Sequence, residues 1–254
     1  MLLDDYEWSD KKFAWTFEPK GGSPVVISVP HDRGFHPSDL LGIFEEREGG
    51  VKGRDSYSWS IIRDILPMTK VNAVRALFPR HFIDYNRPSE AVDFYMPFQK
   101  EEEMAFDDVR LEYIYNHYHQ TIARLLKRAI QVYGQDKCLL IDFHGFIKQP
   151  SYGEYDLILG TGNRTTVNSD VDKALAGFLS AQGYKVFLPA EKTVAQGEDL
   201  YDAHFITRYY AKTFGVDAIQ IETAKKFRVF EGGEIGKKLS ADLAEFFRLY
   251  LNTF

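Results

Sequence analysis

Polar, chemistry-bearing residues recur at the ends of apolar runs in this 254-residue chain. His31 follows Val25-Val26-Ile27-Ser28-Val29-Pro30, and Asp142 and His144 fall in Leu139-Leu140-Ile141-Asp142-Phe143-His144-Gly145-Phe146. Glu222 ends Ala218-Ile219-Gln220-Ile221-Glu222, and Asn86-Arg87 leaves a mixed polar and apolar stretch that begins at Arg80. Two histidines with a carboxylate have the composition of a zinc site whose remaining position holds water. A second carboxylate beside such a metal can act as general base on that water. Nearby arginines suit an oxyanion or a carboxylate, because guanidinium forms paired hydrogen bonds with both. A glutamate ending a buried strand is costly to desolvate unless it is paired or poised for work. For the Asp142–His144 stretch taken alone, a satisfied polar strand end explains the pattern equally well.

Strand periodicity decides which of these groups can meet. Side chains alternate along a strand, so Asp142 and His144 share one face while Ile141 and Phe143 take the other, and Gln220 and Glu222 share a face likewise. The crevice past the carboxyl ends of such strands is where α/β proteins usually bind ligands. The remaining histidines fit less well. His117 and His119 are two apart on a helix, roughly 200° around its axis, so they cannot chelate one ion together and suit packing or surface roles. His36 is a weak competing ligand in a loop, His81 points away from Arg80 and Asp84 if that segment is a regular strand, and His204 falls on a helix beside Phe205, where it packs.

The elements that must position these groups follow from pattern and punctuation. Strands are expected over residues 12–17 (an edge), 25–29, 71–78, 80–86, 139–146, 156–159, 184–188 and 218–222. Helices are expected over 54–66, 107–133, 170–181 with Asp170 as cap, 201–214, and a C-terminal stretch to Leu251 capped by Ser240. Residues 32–53, rich in Gly, Glu and Asp, read as a long loop, and Gly160-Thr161-Gly162-Asn163 as a turn. Strands interspersed with helices predict one α/β domain over 1–254 with a mixed, largely parallel sheet.

Composition narrows the class. The chain is 44% hydrophobic and 15% aromatic, as expected of a folded globular protein. Its net charge of −6 comes without a basic stripe, which gives a nucleic-acid partner no electrostatic support. No apolar run reaches a membrane-spanning length, and the acidic start Met1-Leu2-Leu3-Asp4-Asp5 lacks the basic and apolar regions of a signal peptide. The single Cys138, beside an apolar run, excludes an internal disulfide and suits a reducing compartment. A cytoplasmic location is the expectation.

Taken together, the pieces resemble the N-formylglutamate amidohydrolase family, distant relatives of zinc carboxypeptidases and aspartoacylases. The resemblance spans residues 25–228. It rests on Ser28-Val29-Pro30-His31, Arg80-His81-Phe82-Ile83-Asp84-Tyr85-Asn86-Arg87-Pro88 and Tyr118-His119, then on Ile141-Asp142-Phe143-His144-Gly145, Ile206-Thr207-Arg208-Tyr209-Tyr210 and Ala218-Ile219-Gln220-Ile221-Glu222. The order of all six pieces carries more than any one of them. The resemblance implies a three-layer α/β/α, zinc-carboxypeptidase-like fold and one zinc ion (Zn2+) held by His31, His144 and a carboxylate. Where carboxypeptidases place that carboxylate, three residues after the first histidine, this chain has Gly34. Asp55 in Gly53-Arg54-Asp55-Ser56-Tyr57 fits the family's later acidic position, with Asp32 as the fallback. Glu222 then corresponds to the general base, with Asp142 fixing the tautomer of a ligand histidine. Arg80 matches the arginine that polarises the scissile carbonyl, Asn86 and Arg87 the pair that holds the substrate α-carboxylate, and Arg208 a candidate for the side-chain carboxylate.

The activity implied is hydrolysis of N-formyl-L-glutamate, a small anionic N-acyl amino acid, to formate and L-glutamate, with neither nucleic acid nor membrane as partner. Asp32 and Gly145 depart from the residues usual after the two histidines, and Asp202-Ala203-His204 stands where the family has paired glycines. These departures keep two alternatives open. One is a zinc carboxypeptidase or deacylase acting on another N-acyl amino acid or a peptide; the other is a non-catalytic ligand-binding member.

Overall fold

The computed structural model describes residues 6–11, 13–32, 55–90, 104–106, 108–150, 153–189, 202–228 and 233–253. Its strands are β1 (Tyr6–Lys11), β2 (Ala14–Pro19), β3 (Val25–Val29), β4 (Asn72–Ala76), β5 (Leu139–Phe146), β6 (Leu157–Gly160), β7 (Val186–Phe187) and β8 (Asp217–Ala224). They form one sheet in the order β1-β2-β4-β3-β5-β8-β6-β7. The centre, β4-β3-β5-β8, is parallel; β2 joins β4 and β6 joins β8 in antiparallel fashion. The helices are α1 (Ser58–Ile65), α2 (Glu112–Tyr133), α3 (Val171–Ala181), α4 (Phe205–Phe214) and α5 (Glu234–Leu251).

Alternation along the strands sorts the helices into two layers. Ile27, Ile141, Phe143, Ile219 and Ile221 pack with Trp59 and Ile62 of α1, Leu175 of α3, and Leu243 and Phe247 of α5. The opposite face, with Val26, Leu140 and Ala218, packs on Ile122 and Leu126 of α2 and Ile206 and Tyr210 of α4. The result is the expected three-layer α/β/α sandwich. Each large apolar side chain fully buried this way contributes roughly 1.5–3 kcal/mol. Toward the carboxyl ends of β5 and β8, the α2/α4 face turns polar. Asp142 and His144 follow Leu140, and Gln220 and Glu222 follow Ala218. The chain passes from β3 to β4 on one side and then to β5 on the other, so the topological switch lies between β3 and β5, where ligands of open α/β sheets bind.

Several expected elements differ from those observed. The strand expected at the edge is the inner β2, with β1 outside it. Residues 80–86 form turns rather than a strand. Phe82 and Ile83 donate their backbone N–H groups to the Pro79 carbonyl (3.0 and 3.3 Å), and the Asp84 carboxylate accepts from Asn86 N (2.9 Å). Such side-chain-to-backbone bonds satisfy locally what a ladder would otherwise need. Ser240 lies inside α5 and bonds back to the Gly236 carbonyl at 3.0 Å, so it caps nothing. The helix expected from residue 54 begins at Ser58, leaving Asp55 free of helical constraint. Of the loop expected over 32–53, residues 33–53, His36 among them, lie outside the described residues. No helix among the described residues is long and apolar enough to cross a membrane.

One buried ion pair ties β4 to the start of α1. Arg75 Nε and Nη2 donate to Asp32 Oδ2 at 3.0 and 2.5 Å, while Asp32 Oδ1 accepts from Trp59 N at 2.9 Å. The guanidinium stacks over Trp15 and Trp59, 4.7 and 5.3 Å from their ring centres. Removing one partner strands a buried charge, which typically costs about 3–5 kcal/mol. Arg75→Ala is therefore expected to lose stability in that range by denaturant unfolding, and a loss under about 1 kcal/mol would contradict the pairing.

Candidate active site

His31 is placed by Pro30 immediately beyond β3, and His144 by its position within β5, so the two imidazoles meet at the switch point with ring centres 4.8 Å apart. Each ring is held at Nε2 by a carboxylate. His31 Nε2 lies 2.8 Å from Asp84 Oδ1, and Asp84 Oδ2 accepts from Arg80 Nε at 2.8 Å. His144 Nε2 lies 2.9 Å from Asp142 Oδ2, whose other oxygen accepts from Ser28 Oγ at 3.0 Å; Ser28 in turn lies 2.9 Å from the Tyr118 hydroxyl. A carboxylate on Nε2 fixes the proton there and leaves Nδ1 as the free donor atom.

Both Nδ1 atoms turn toward Asp55. His144 Nδ1 is 3.1 Å from Asp55 Oδ2, and His31 Nδ1, which makes no hydrogen bond, is 3.5 Å from the same oxygen. The three ligand atoms lie within 4.8 Å of one another and all three residues are buried. Donors around one four-coordinate zinc ion stand roughly 3–3.5 Å apart, and the distances from Asp55 to each histidine match that spacing, so the set suits a metal ion. The electrostatics agree. Burial opposes ionisation of Asp55, yet its contacts with His144 and His31 hold its pKa below the carboxylate range. Burial likewise opposes charge on His144, but Asp142 and then Asp55 outweigh it and raise its pKa. The arrangement favours positive charge between the three donors, as a proton or a metal ion.

Asp55 is therefore the carboxylate brought to the two histidines. Both oxygens of Asp32 are occupied by Trp59 N and Arg75, so the fallback position is structural. Asp55 is anchored through its own backbone, donating N–H to the His31 carbonyl at 3.1 Å and accepting from Ser58 N at 3.0 Å.

The cavity in front of these groups has a volume of about 270 Å³. Glu222 enters it from β8, paired in register with His144 on the adjacent strand. Its Oε1 accepts from Gln220 Nε2 at 3.1 Å, and burial, reinforced by the Asp55 charge and opposed by His144, lifts its pKa to about 8. Arg80, Arg87 and Asn86 line the same cavity from the turns after β4. Asn86 Oδ1 accepts from Ile206 N at 2.8 Å, which orients its Nδ2 toward His144 Nε2, 3.1 Å away. That ring nitrogen also faces Asp142, so it accepts from Asn86 only when it does not donate to Asp142.

Of the residues singled out in the sequence, His31, Asp55, Arg80, Asn86, Arg87, His144 and Glu222 all line this cavity. Arg208 does not. Its Nε donates to the Ala203 carbonyl at 2.7 Å, Nη2 lies 3.6 Å from Asp202, and it borders a separate hollow with Thr165, Asn168 and Lys212. His204, expected only to pack, lines the cavity instead, ahead of α4 with its N–H on Gln220 Oε1 at 3.0 Å. Asp84 was also missed as the partner of His31, because reading 80–86 as a strand hid its turn. His119 does pack, half-buried between the Tyr210 hydroxyl and the Tyr85 carbonyl.

The two aspartates give a direct test of the donor set. Asp55→Ala is expected to weaken zinc binding by orders of magnitude, whereas Asp32→Ala is expected to lower stability and change zinc affinity far less. Titration of both variants with zinc in competition with a chromophoric chelator checks this, and the reverse ranking would move the carboxylate donor to Asp32.

No curated protein matches the chain by sequence. Among solved structures it is similar to N-formylglutamate amidohydrolase from Ralstonia eutropha JMP134, with TM-score 0.69 and 18% identity over 96% of this chain and 99% of that one. It is also similar to a gene product of Agrobacterium tumefaciens, with TM-score 0.63 and 16% identity over 96% of each chain. At these identities the likeness shows the fold. The family model for N-formylglutamate amidohydrolase matches residues 23–227, a span from just before β3 to the end of β8 and its following turn. The chain belongs to the N-formylglutamate amidohydrolase family.

Proposed function

We propose that this protein is a zinc-dependent amidohydrolase that cleaves N-formyl-L-glutamate to formate and L-glutamate. The observation that carries the reading is the convergence of His31 Nδ1, His144 Nδ1 and Asp55 on one cavity that also holds Glu222 and two arginines. His31, Asp55 and His144 would hold the ion, which when bound supplies Lewis acidity and an acidified water. Glu222 takes a proton from the attacking water and returns it to the leaving amine, so one carboxyl serves both halves of the hydrolysis. Its upward-shifted pKa suits that double duty, since a group titrating near neutrality both accepts and donates readily. Arg80, fixed through Nε by Asp84, faces the oxyanion that develops on the formyl carbonyl. Arg87 and the Asn86 side-chain amide hold the substrate α-carboxylate.

The position of Arg208 favours keeping a second reading in view. Among the described residues it lies outside the cavity, so no assigned cation there meets a glutamate side chain. A deacylase for an N-acyl amino acid with a neutral side chain fits the same catalytic groups. Turnover of N-formyl-glutamate against N-formyl-leucine and N-acetyl-glutamate separates the two, and a preference for the neutral side chain would replace the first reading with the second.

Glu222→Gln is expected to lower kcat by about 10²–10⁴-fold while zinc content and melting temperature stay near wild type. Near-normal turnover with zinc retained would remove Glu222 from the mechanism. The pH dependence follows from its shift. A base works only when ionised, so a raised pKa moves the acidic limb of kcat/KM upward, and a bound cation pulls it back down. The limb is expected between about 4.5 and about 8, with activity lost as pH falls through it.

The two cavity arginines should separate kinetically. Arg87→Ala is expected mainly to raise KM, because a carboxylate clamp holds ground and transition state alike. Arg80→Ala is expected mainly to lower kcat, since its partner charge develops only during reaction. Parallel effects in both variants would mean that the roles are divided wrongly.

A further inference from the structure

Arg228 is a buried arginine that the proposed chemistry does not use. It follows the turn Lys225–Phe227 after β8, is 4% exposed, and folds back beneath the cavity floor. Its guanidinium donates to three carbonyls on three segments: Nε to Thr223 of β8 at 3.1 Å, Nη2 to Phe146 of β5 at 3.0 Å, and Nη1 to Ser56 at 2.9 Å. The first two acceptors lie close to Glu222 and His144, and the third belongs to the residue after Asp55. Asp55, Glu222 and Asp32 face its charge.

The space it fills exists because residue 145 is glycine. A Cβ at Gly145 would stand 2.0 Å from Arg228 Nε and 2.2 Å from Cζ, so any side chain there displaces the guanidinium. The Ser56 end carries its own strain. Tyr57 takes the left-handed conformation, φ 67°, between Asp55 and the start of α1. A non-glycine residue held there costs of order 1 kcal/mol and persists only where its surroundings fix it.

We propose that Arg228 is a positioning residue that clamps the Asp55–Tyr57 turn onto the ends of β5 and β8 and so presents the Asp55 carboxylate to His31 and His144, with Gly145 as its required partner. This rests on the reading of those three residues as a metal site. The turn is joined to the sheet by the Asp55 N–H bond to His31 at one point and by Arg228 at another, so losing Arg228 lets the carboxylate swing while both histidines stay in place.

Zinc affinity of the full chain, measured by competition with a chromophoric chelator, tests the inference. Partners that orient a metal ligand typically alter affinity by about 10–100-fold, so Arg228→Met and Gly145→Ala are each expected to weaken zinc binding by about 10-fold or more. In an Asp55→Ala background, Arg228→Met is expected to cause no further loss, because the carboxylate it presents is gone. If Arg228→Met does not fold, Arg228→Lys, which keeps a buried cation but loses the three-way fork, carries the same test. A wild-type chain that takes up no zinc removes the metal reading and this inference with it. Wild-type binding with unchanged affinity in the variants, or an equal loss in the Asp55→Ala background, overturns this inference alone.

Discussion

Six ionisable groups, His31, Asp55, Asp84, Asp142, His144 and Glu222, crowd the head of the sheet, and burying them unpaired would cost several kcal/mol each. The structure meets that constraint with two chains of contacts that converge on one carboxylate. One runs Arg80–Asp84–His31 and the other Tyr118–Ser28–Asp142–His144, and both end at Asp55. Each chain engages the Nε2 atom of its histidine, so both present Nδ1 to the same point. With its tautomers imposed from behind, the site turns both Nδ1 atoms toward one carboxylate, which separates an organised donor set from a chance acidic cluster.

The sheet makes this economy possible. In the parallel centre, β5 and β8 end in register while β3 stops three residues short of them, and alternation puts Ser28, Asp142, His144, Gln220 and Glu222 on a single face. That face is covered by α2 and α4, which are not passive. α2 supplies Tyr118 to the Asp142 chain, and His119 one residue on, whose Nε2 bonds the Tyr85 carbonyl at 3.1 Å and so braces the turn carrying Asn86 and Arg87. Burial drives the His119 pKa down to about 3, leaving a neutral ring fit to donate at one nitrogen and accept at the other. α4 offers Ile206 N to Asn86 Oδ1. The layer that completes the hydrophobic core is thus the layer that fixes the polar residues.

What the sequence discloses divides along the same line. His31, His144 and Glu222 are legible because strand periodicity and the punctuation by Pro30 and Gly145 depend on residues close in sequence. The layer architecture is legible for the same reason. Residues 80–86 mislead because their alternation mimics a strand while Asp84 closes a local turn on Asn86 N. Asp84 as the anchor of His31, 53 residues away, has no local signal, nor does Arg228 on Ser56, 172 residues away. Asp32 and Asp55 are not separable by spacing, since the decision lies with Arg75 of β4 and His144 of β5, both distant in sequence.

Net charge is a poor guide to what such a cavity accepts. The chain carries −6 overall, yet the described mouth of the site presents Arg80 and Arg87, with Arg228 beneath. Asp84 engages Nε of Arg80, so that carboxylate serves as an anchor rather than as a competitor for ligand. Burial opposes the Arg80 charge, but Asp84, Asp55 and Glu222 keep its pKa above the ordinary value, and the cation persists throughout the working range. Fixed positive charge from Arg80 and Arg87 on one side and the Glu222 and Asp55 carboxyls on the other set opposite requirements for the two ends of a substrate. An anionic end meets the arginines, and the end toward the carboxyls must be a neutral group that gains charge only as it reacts. An amide beside a carboxylate satisfies both, in keeping with the small N-acyl amino acid that membership of an amidohydrolase family implies, whereas the second anion of a free dicarboxylate would face Glu222 and Asp55.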